Sequence, residues 1–472
     1  MSTDNPETLV SSGGGMLHRL DESRLTGRHW YWTMMAALAD FIDAGSIVAG
    51  SVALTFWVTR YHLTANTVGL IAAFSSNGIS TGIGALVGGR LGDRLGRKFI
   101  YTTDLLLYAV GALVIVLANG APMVIAGYVL VGFAVGADIP TSWSLIAEFS
   151  PRRSRGRLMG MTNVMWYVGP IVILLLSLAF TGLGQLGGRL LFAVLGVVAL
   201  VTWFLRRSFA ESPRWALVTG ADGHVKRAEE QLLAGQAAGK PASTATTAQG
   251  SPAAAQPARA RMSTRETIRL LTSPASRRAF AVLTPIYVLW GLAAGTYGFF
   301  LPFILKSVGG HGTTGADLMD MLWFGSAIIT VVFVFMPLND KVDRRILYAI
   351  SAAVMAVSFY MLIFFPISNT LVAVISILLF GLGQGIGLWP LQRVWSVEIF
   401  PTEIRNTAQG ILWGTMRVLL GIWSLYFATF TASAGFTVVA IVLGSFFVYN
   451  MIVGGFFGPR TQSKSLEAIN TT

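Results

Sequence analysis

The sequence predicts an all-α membrane protein, with twelve transmembrane helices arranged as two pseudo-symmetric six-helix bundles. Three observations lead there. Apolar residues make up 54% of the 472 residues, charged residues only 12%, and the mean hydropathy is +0.64, which a soluble domain of this length does not show. Twelve segments reach the roughly 20 apolar residues that a membrane helix needs, six on each side of a polar middle. One stretch is also written twice: Pro140 to Gly160 overlays Pro390 to Gly410 at a shift of 250 residues, with Glu148 on Glu398, Pro151 on Pro401 and Arg155 on Arg405. A weaker echo sets Asp93 on Asp340 and Arg97 on Arg344. Two halves related by duplication, each with a charged loop after its second and fourth span, are the ground plan of a transporter whose halves rock against each other.

The spans are expected at 30–58, 68–91, 100–119, 122–146, 160–183, 187–205, 280–305, 318–338, 346–366, 371–395, 407–431 and 436–457. The first bundle then occupies 29–207 and the second 280–458. A disordered cytoplasmic tail precedes them over 1–28, a cytoplasmic loop with short helices joins them over 208–279, and a second tail follows over 459–472. Residues 1–28 have no apolar core, so no cleavable signal peptide is expected. Residues 235–261 are low-complexity Ala, Pro, Ser and Thr and read as a flexible linker. Residues 265–278 read as a basic stretch lying along the inner membrane surface.

Lysine and arginine fall on one side: Arg90, Arg94, Arg97 and Lys98, then 152–157, 206–278, 341–345, Arg405 and both tails, against Arg60, Arg189 and Lys306 on the other. By the positive-inside rule both termini are cytoplasmic, in the inner (plasma) membrane. The asymmetry accounts for the net charge of +12, so anionic membrane lipid, and no nucleic acid, is the expected partner besides a small-molecule substrate. Nothing points to an oligomer, and a monomer is expected. The five histidines are scattered and cysteine is absent, leaving no metal spacing, no catalytic triad and no phosphate-cradling loop; an enzyme is not expected, nor a metal or cofactor beyond a coupling proton.

Taken in order, the first span holds Asp40 and Asp43 about one turn apart, on one face and near the bilayer centre. Carboxylates there cost several kcal/mol when charged and unpaired. They are expected to be protonated, paired or facing a cavity. The second span ends in small residues that let helices approach closely, then in Gly89, Asp93, Arg94, Gly96, Arg97 and Lys98. Asp93 can accept from N–H groups opening the next helix, while Arg94, Arg97 and Lys98 are expected to face cytoplasm and lipid phosphate. This string resembles the G-x-x-x-D-R-x-G-R-K loop of the major facilitator superfamily. The resemblance implies two bundles with alternating access, and a loop that latches them in the outward-open state.

The fourth span carries Asp138 near mid-membrane, followed at once by Pro140, which loosens the helix beside a charge. Glu148, Pro151, Arg155 and Gly156 resemble the E-x-x-P-x-x-x-R-G loop of sugar porters, implying salt bridges between bundles at the cytoplasmic face. After the sixth span, Glu211, Ser212, Pro213, Arg214 and Trp215 resemble the sugar-porter signature P-E-S-P-R-W-L, with Ala210 and Ala216 as departures. Physically the string starts a short helix, with Glu211 placed to pair with loop arginines. Gly89, Asp93, Arg94, Arg97, Glu148, Arg155, Glu211, Arg214, Glu398 and Arg405 are the candidate gating residues.

Trp166, Trp290, Tyr297, Gln384, Trp389 and Arg417 are the candidate substrate contacts. Aromatic faces grip the C–H surfaces of sugars and polyols, and a guanidinium at mid-membrane needs a carboxylate or an anionic ligand. Arg393 is expected to snorkel or to pair with Glu398. Three central acids, Asp40, Asp43 and Asp138, set against Arg417 as the one central arginine, leave an acid free to carry a proton. The expected function is proton symport of a sugar or inositol-like cyclic polyol. The alternative is a small organic anion, because Asp40 and Asp43 resemble the D-x-x-D of aromatic-acid symporters. Two departures weigh against a hexose site of the usual kind: Tyr128 stands where sugar porters carry arginine, and the seventh span lacks paired glutamines. A drug exporter is disfavoured because Gly169 and Pro170 are not followed by paired glycines, and a nutrient sensor because the tail after Pro459 is short.

Overall fold

The computed structural model describes residues 17–470, except 208, 222, 225–261, 308–309, 311 and 463. Twelve membrane-length helices are present among them: α1 (Gly27–Tyr61), α2 (Asn66–Leu95), α3 (Arg97–Val116), α4 (Ala121–Phe149), α5 (Arg155–Ala179), α6 (Gln185–Arg206), α7 (Pro274–Leu301), α8 (Thr314–Leu338), α9 (Arg344–Phe364), α10 (Thr370–Glu398), α11 (Arg405–Phe427) and α12 (Phe436–Phe457). Apolar side chains such as Phe204, Phe333, Phe364 and Phe456 are left exposed around the outside, as a protein solvated by lipid permits. The chain is a multi-pass membrane protein.

Helices α1 to α6 pack mainly among themselves, as do α7 to α12, and the halves meet along two seams, α2 against α11 and α5 against α8. A half-turn that exchanges the halves carries one seam onto the other, as the duplication requires. The α2–α11 seam is made of glycine: a Cβ at Gly414 would lie 2.8 Å from the Gly82 carbonyl oxygen, and one at Gly89 would lie 3.1 Å from the Cα of Gly410. Any larger residue would hold these backbones apart.

Three irregularities shape the middle of the membrane. Helix α2 is two pieces, Ala65–Phe74 and Ile79–Leu95, broken at Ser75–Gly78. Helix α10 widens to i→i+5 bonding over Gln384–Leu388, just ahead of Pro390, and α8 does so over Val331–Phe335. Such widened turns re-aim side chains and recur at functional sites.

The first tail departs from expectation over its described part. Residues 17–22 are helical, Leu20 and Asp21 are buried, and the Asp21 carbonyl accepts from Arg152 N–H. Residues 1–16 and the linker 235–261 lie outside the described residues. Short helices at Pro213–Thr219 and Thr264–Leu271 border the loop between the halves.

Candidate functional site

At the basic face the halves are locked by two related clusters. Glu148, on α4, receives Arg97 of its own half at 3.0 Å and Arg405 of the other half at 2.9 Å. Glu398, on α10, receives Arg344 of its own half at 2.7 Å and Arg155 of the other half at 3.3 Å. Each glutamate therefore holds one arginine from each half, and the equivalence follows the duplicated loop. All six side chains are buried. Ser212 also donates to Glu148, and Arg214 reaches the Glu148 carbonyl at 2.7 Å and Asp21 at 2.8 Å.

Three gate expectations are corrected. Asp93 accepts from the start of α11, not α3: Thr407 N–H at 2.7 Å, its hydroxyl at 2.6 Å and Asn406 N–H at 3.3 Å. The orphan N–H groups of a helix start in the other half attract the carboxylate, so Asp93 is itself a cross-half latch. Arg97 does not face lipid or cytoplasm. It is fully buried among Asp93, Glu148 and the Thr402 carbonyl. Among the described residues Glu211 forms no ion pair with a loop arginine; it accepts from the N–H groups of Arg97, Lys98 and Ser212 and so caps α3. Burial pushes its carboxyl above the ordinary range despite those bonds. Arg94 reaches the Thr264 hydroxyl at 3.3 Å.

At mid-membrane two more ion pairs cross between the halves. Asp40 meets Arg393 at 2.6 Å, and Asp43 meets Arg417 at 3.0 Å. All four side chains are buried. Trp143 donates to Asp40 at 3.2 Å, Trp166 donates to Asp43 at 3.0 Å, and Arg417 also bonds Asn77 at the break in α2. Arg393 lies between two indoles, 4.2 Å from the centroid of Trp143 and 4.0 Å from that of Trp389. Arg417 lies 4.5 Å over Trp413. Aromatic faces of this kind help hold desolvated guanidinium groups.

Beside these pairs lies a cavity of about 20 Å³, bordered by Trp166, Trp290, Gln384, Trp389, Trp413 and Arg417. It has room for about one water, so the halves have closed on the site. Ser51 bonds the Phe299 carbonyl at 3.2 Å across the halves on the far side of it.

Five of the six candidate substrate contacts come together there. The exception is Tyr297, whose ring packs 4.8 Å from Phe359 and 4.7 Å from Phe380 inside the second half. The acid count is also corrected, because each of the three acids has its own arginine. Arg393 pairs with Asp40, not Glu398, and Arg206 reaches Asp138 at 2.8 Å from the end of α6. Asp138 is thereby held within the first half, away from the cavity. Sequence reasoning missed Asn77, Trp143 and Trp413 at the site. Trp143 had a signal, since it stands 250 residues before Arg393 and the two equivalent positions face each other across the seam.

Two six-helix halves closed on an aromatic, charge-paired cavity between them define a membrane transporter of the alternating-access type, not an enzyme. The family model for sugar (and other) transporters matches residues 39–472, and the chain belongs to that family, on the major facilitator fold. The minor myo-inositol transporter IolF of Bacillus subtilis is 36% identical over 437 residues, covering 93% of this chain and 92% of that protein. The arabinose-proton symporter of the same organism is 24% identical, over 79% of this chain and 80% of that protein. Among solved structures, the proton:xylose symporter XylE bound to 6-bromo-6-deoxy-D-glucose superposes with a TM-score of 0.76 at 19% identity, covering 93% of this chain and 98% of that one. The inward-open conformation of XylE from E. coli gives 0.64 at the same identity, covering 93% and 99%.

Proposed function

We propose that this transporter imports a sugar or cyclic polyol, of inositol type, by proton symport. The basic face and both termini are cytoplasmic, the membrane is the inner (plasma) membrane, and one chain is the transporting unit. The observation that carries the reading is the pair of mid-membrane bridges, Asp40 to Arg393 and Asp43 to Arg417, which tie one half to the other beside the cavity. The bridge, not an unpaired acid, is then the coupling device. A proton arriving from outside neutralises a carboxylate, frees its arginine and lets the halves part around the substrate. Returning the proton to the cytoplasm restores the bridge. The indoles of Trp166, Trp290 and Trp389 border the cavity and are the surfaces that ring C–H groups would meet once the halves part and Arg393 leaves Trp389, and Gln384 offers an amide to hydroxyls. The inositol transporter at 36% identity supports the polyol class.

A carboxylate substrate remains the second reading, favoured by one observation: Arg417 Nε is buried and has no hydrogen-bond partner among the described residues. The test is uptake into proteoliposomes under an imposed pH gradient, with inositols, hexoses, pentitols and small carboxylates as substrates. Gradient-driven accumulation of a neutral polyol supports the first reading and that of a carboxylate the second. Uptake of neither class refutes both.

A further inference from the structure

Away from the cavity, in the first half alone, two buried acids, Asp104 and Asp138, border one small space, and only Asp138 is bonded to an arginine. Asp138 on α4 pairs with Arg206 at 2.8 Å and accepts from Ser142 at 2.5 Å. Arg206 also donates to the carbonyls of Met35 at 3.0 Å and Ala36 at 2.8 Å on α1, and of Tyr101 at 3.2 Å on α3. Asp104 on α3 borders the same space. It is 5% exposed, its Oδ1 accepts only the neighbouring Leu105 N–H, and its Oδ2 has no hydrogen-bond partner among the described residues. Asp104 and Asp138 both line a cavity of about 10 Å³, at the lower limit for one water.

The other groups facing this space carry no compensating charge. Tyr101 and Tyr108 of α3 are phenols, α2 offers only Val87, Gly88 and Leu91 beside Asp104, and α1 offers carbonyls and Ala39 and Ile42. No basic side chain lies within 4.0 Å of Asp104 among the described residues. Two carboxylates and one guanidinium, all ionised, would leave a net negative charge in hydrocarbon, where an unpaired charge costs several kcal/mol. A metal ion has too few ligands here, since no group of three acids, histidines or cysteines is gathered among the described residues.

We propose that Asp104 and Asp138 form a proton-binding site, separate from the substrate cavity, in which one shared proton leaves Arg206 a single carboxylate partner. The site is placed to act on the gate. Asp104 stands seven residues from Arg97 on α3, and Asp138 ten residues from Glu148 on α4. Arg206 meanwhile grips α1 one turn before Asp40. Loss of the proton gives Arg206 two competing carboxylates and loosens its hold on the α1 carbonyls, so proton occupancy sets the footing of three helices that rock together.

The inference rests on the charge count within α3, α4 and α6, not on the proposed substrate, so it can fail without that reading failing. The test is infrared absorption by protonated carboxyl groups in purified protein in lipid at neutral pH. The wild type is expected to show such a band. In Asp104→Asn the band falls, because Asp138 then has Arg206 to itself; Asp138→Asn makes the same test if the first variant fails to fold. Asp43→Asn is expected to leave this component in place while changing gradient-driven uptake. No protonated-carboxyl band in the wild type, or a band unchanged in both Asp104→Asn and Asp138→Asn, overturns the proposal.

Discussion

An arginine buried at mid-membrane is tolerable only beside its acid, and this governs what single substitutions do here. Asp40→Asn leaves Arg393 as an uncompensated buried charge, and breaking such a pair typically costs about 3–5 kcal/mol. Asp40→Asn is therefore expected to lower the thermal midpoint in detergent, and Asp40→Asn with Arg393→Gln to recover most of the loss. Neither is expected to concentrate substrate against a pH gradient. A double variant that still accumulates substrate would remove Asp40 from the coupling. Asp43→Asn is expected to abolish accumulation yet retain exchange, read as counterflow of labelled substrate. Glu211 behaves differently because its neighbours are backbone N–H groups. Burial raises its carboxyl in the folded state, so its contribution to stability is complete at low pH and is lost as pH rises through that raised value. Glu211→Gln is expected to flatten the fall of the thermal midpoint from acid to neutral pH, and an unchanged profile would assign that fall elsewhere. The acids at these sites were legible, because a carboxylate in an apolar run is anomalous on its face. Their partners were not. Arg206 and Arg393 sit near helix ends in the sequence and reach inward along their long side chains, which spacing alone does not reveal.

Rocking needs a seam that closes tightly and parts cleanly, and α2 with α11 supplies it through bare backbone. A Cβ at Gly89 would fall 3.1 Å from the Cα of Gly410 and against the Asn406 carbonyl. Gly89→Leu is therefore expected to fold, since each half keeps its own core, but to be unable to close at the basic face. Because the chain has no cysteine, Gln409→Cys, at a position 1% exposed in the closed state, reports closure through labelling by an impermeant thiol reagent. Gly89→Leu is expected to raise that labelling about tenfold or more, which corresponds to about 1.4 kcal/mol against the closed state. Labelling equal to that of the parent would show that the seam is not the gate. Helix number and order were readable from hydropathy, since every span has to be long and apolar. The break at Ser75–Gly78 was not, although Ser75, Ser76 and Asn77 interrupt the apolar run of 68–91, because a few polar residues fit an unbroken span equally well and the break depends on how Asn77 is used by Arg417 and the Gly295 carbonyl in the other half. The widened turn at Gln384–Leu388 escaped notice because i→i+5 bonding leaves no compositional trace; only Pro390, which follows it, hints at slack.

For the molecule as a whole, the sum of mid-membrane charge decides between the two substrate classes. With both bridges intact, Asp40, Asp43, Arg393 and Arg417 sum to zero. Protonating one acid leaves the group at +1, and the closed, loaded state must bury that charge. A neutral polyol does not compensate it, so each cycle moves one positive charge inward and the membrane potential joins the pH gradient as a driving force. A carboxylate opposite Arg417 does compensate it, and the cycle becomes electroneutral. One charge moved through 100 mV is worth about 2.3 kcal/mol, which at 1.4 kcal/mol per decade is a change of about fortyfold in the accumulation ratio. An inside-negative potassium diffusion potential of that size, imposed at fixed pH gradient, is expected to raise inositol accumulation steeply and to leave that of a carboxylate nearly unchanged. Inositol uptake that ignores both the potential and the pH gradient would mean that no proton travels with it, and the bridges would then serve closure of the halves alone.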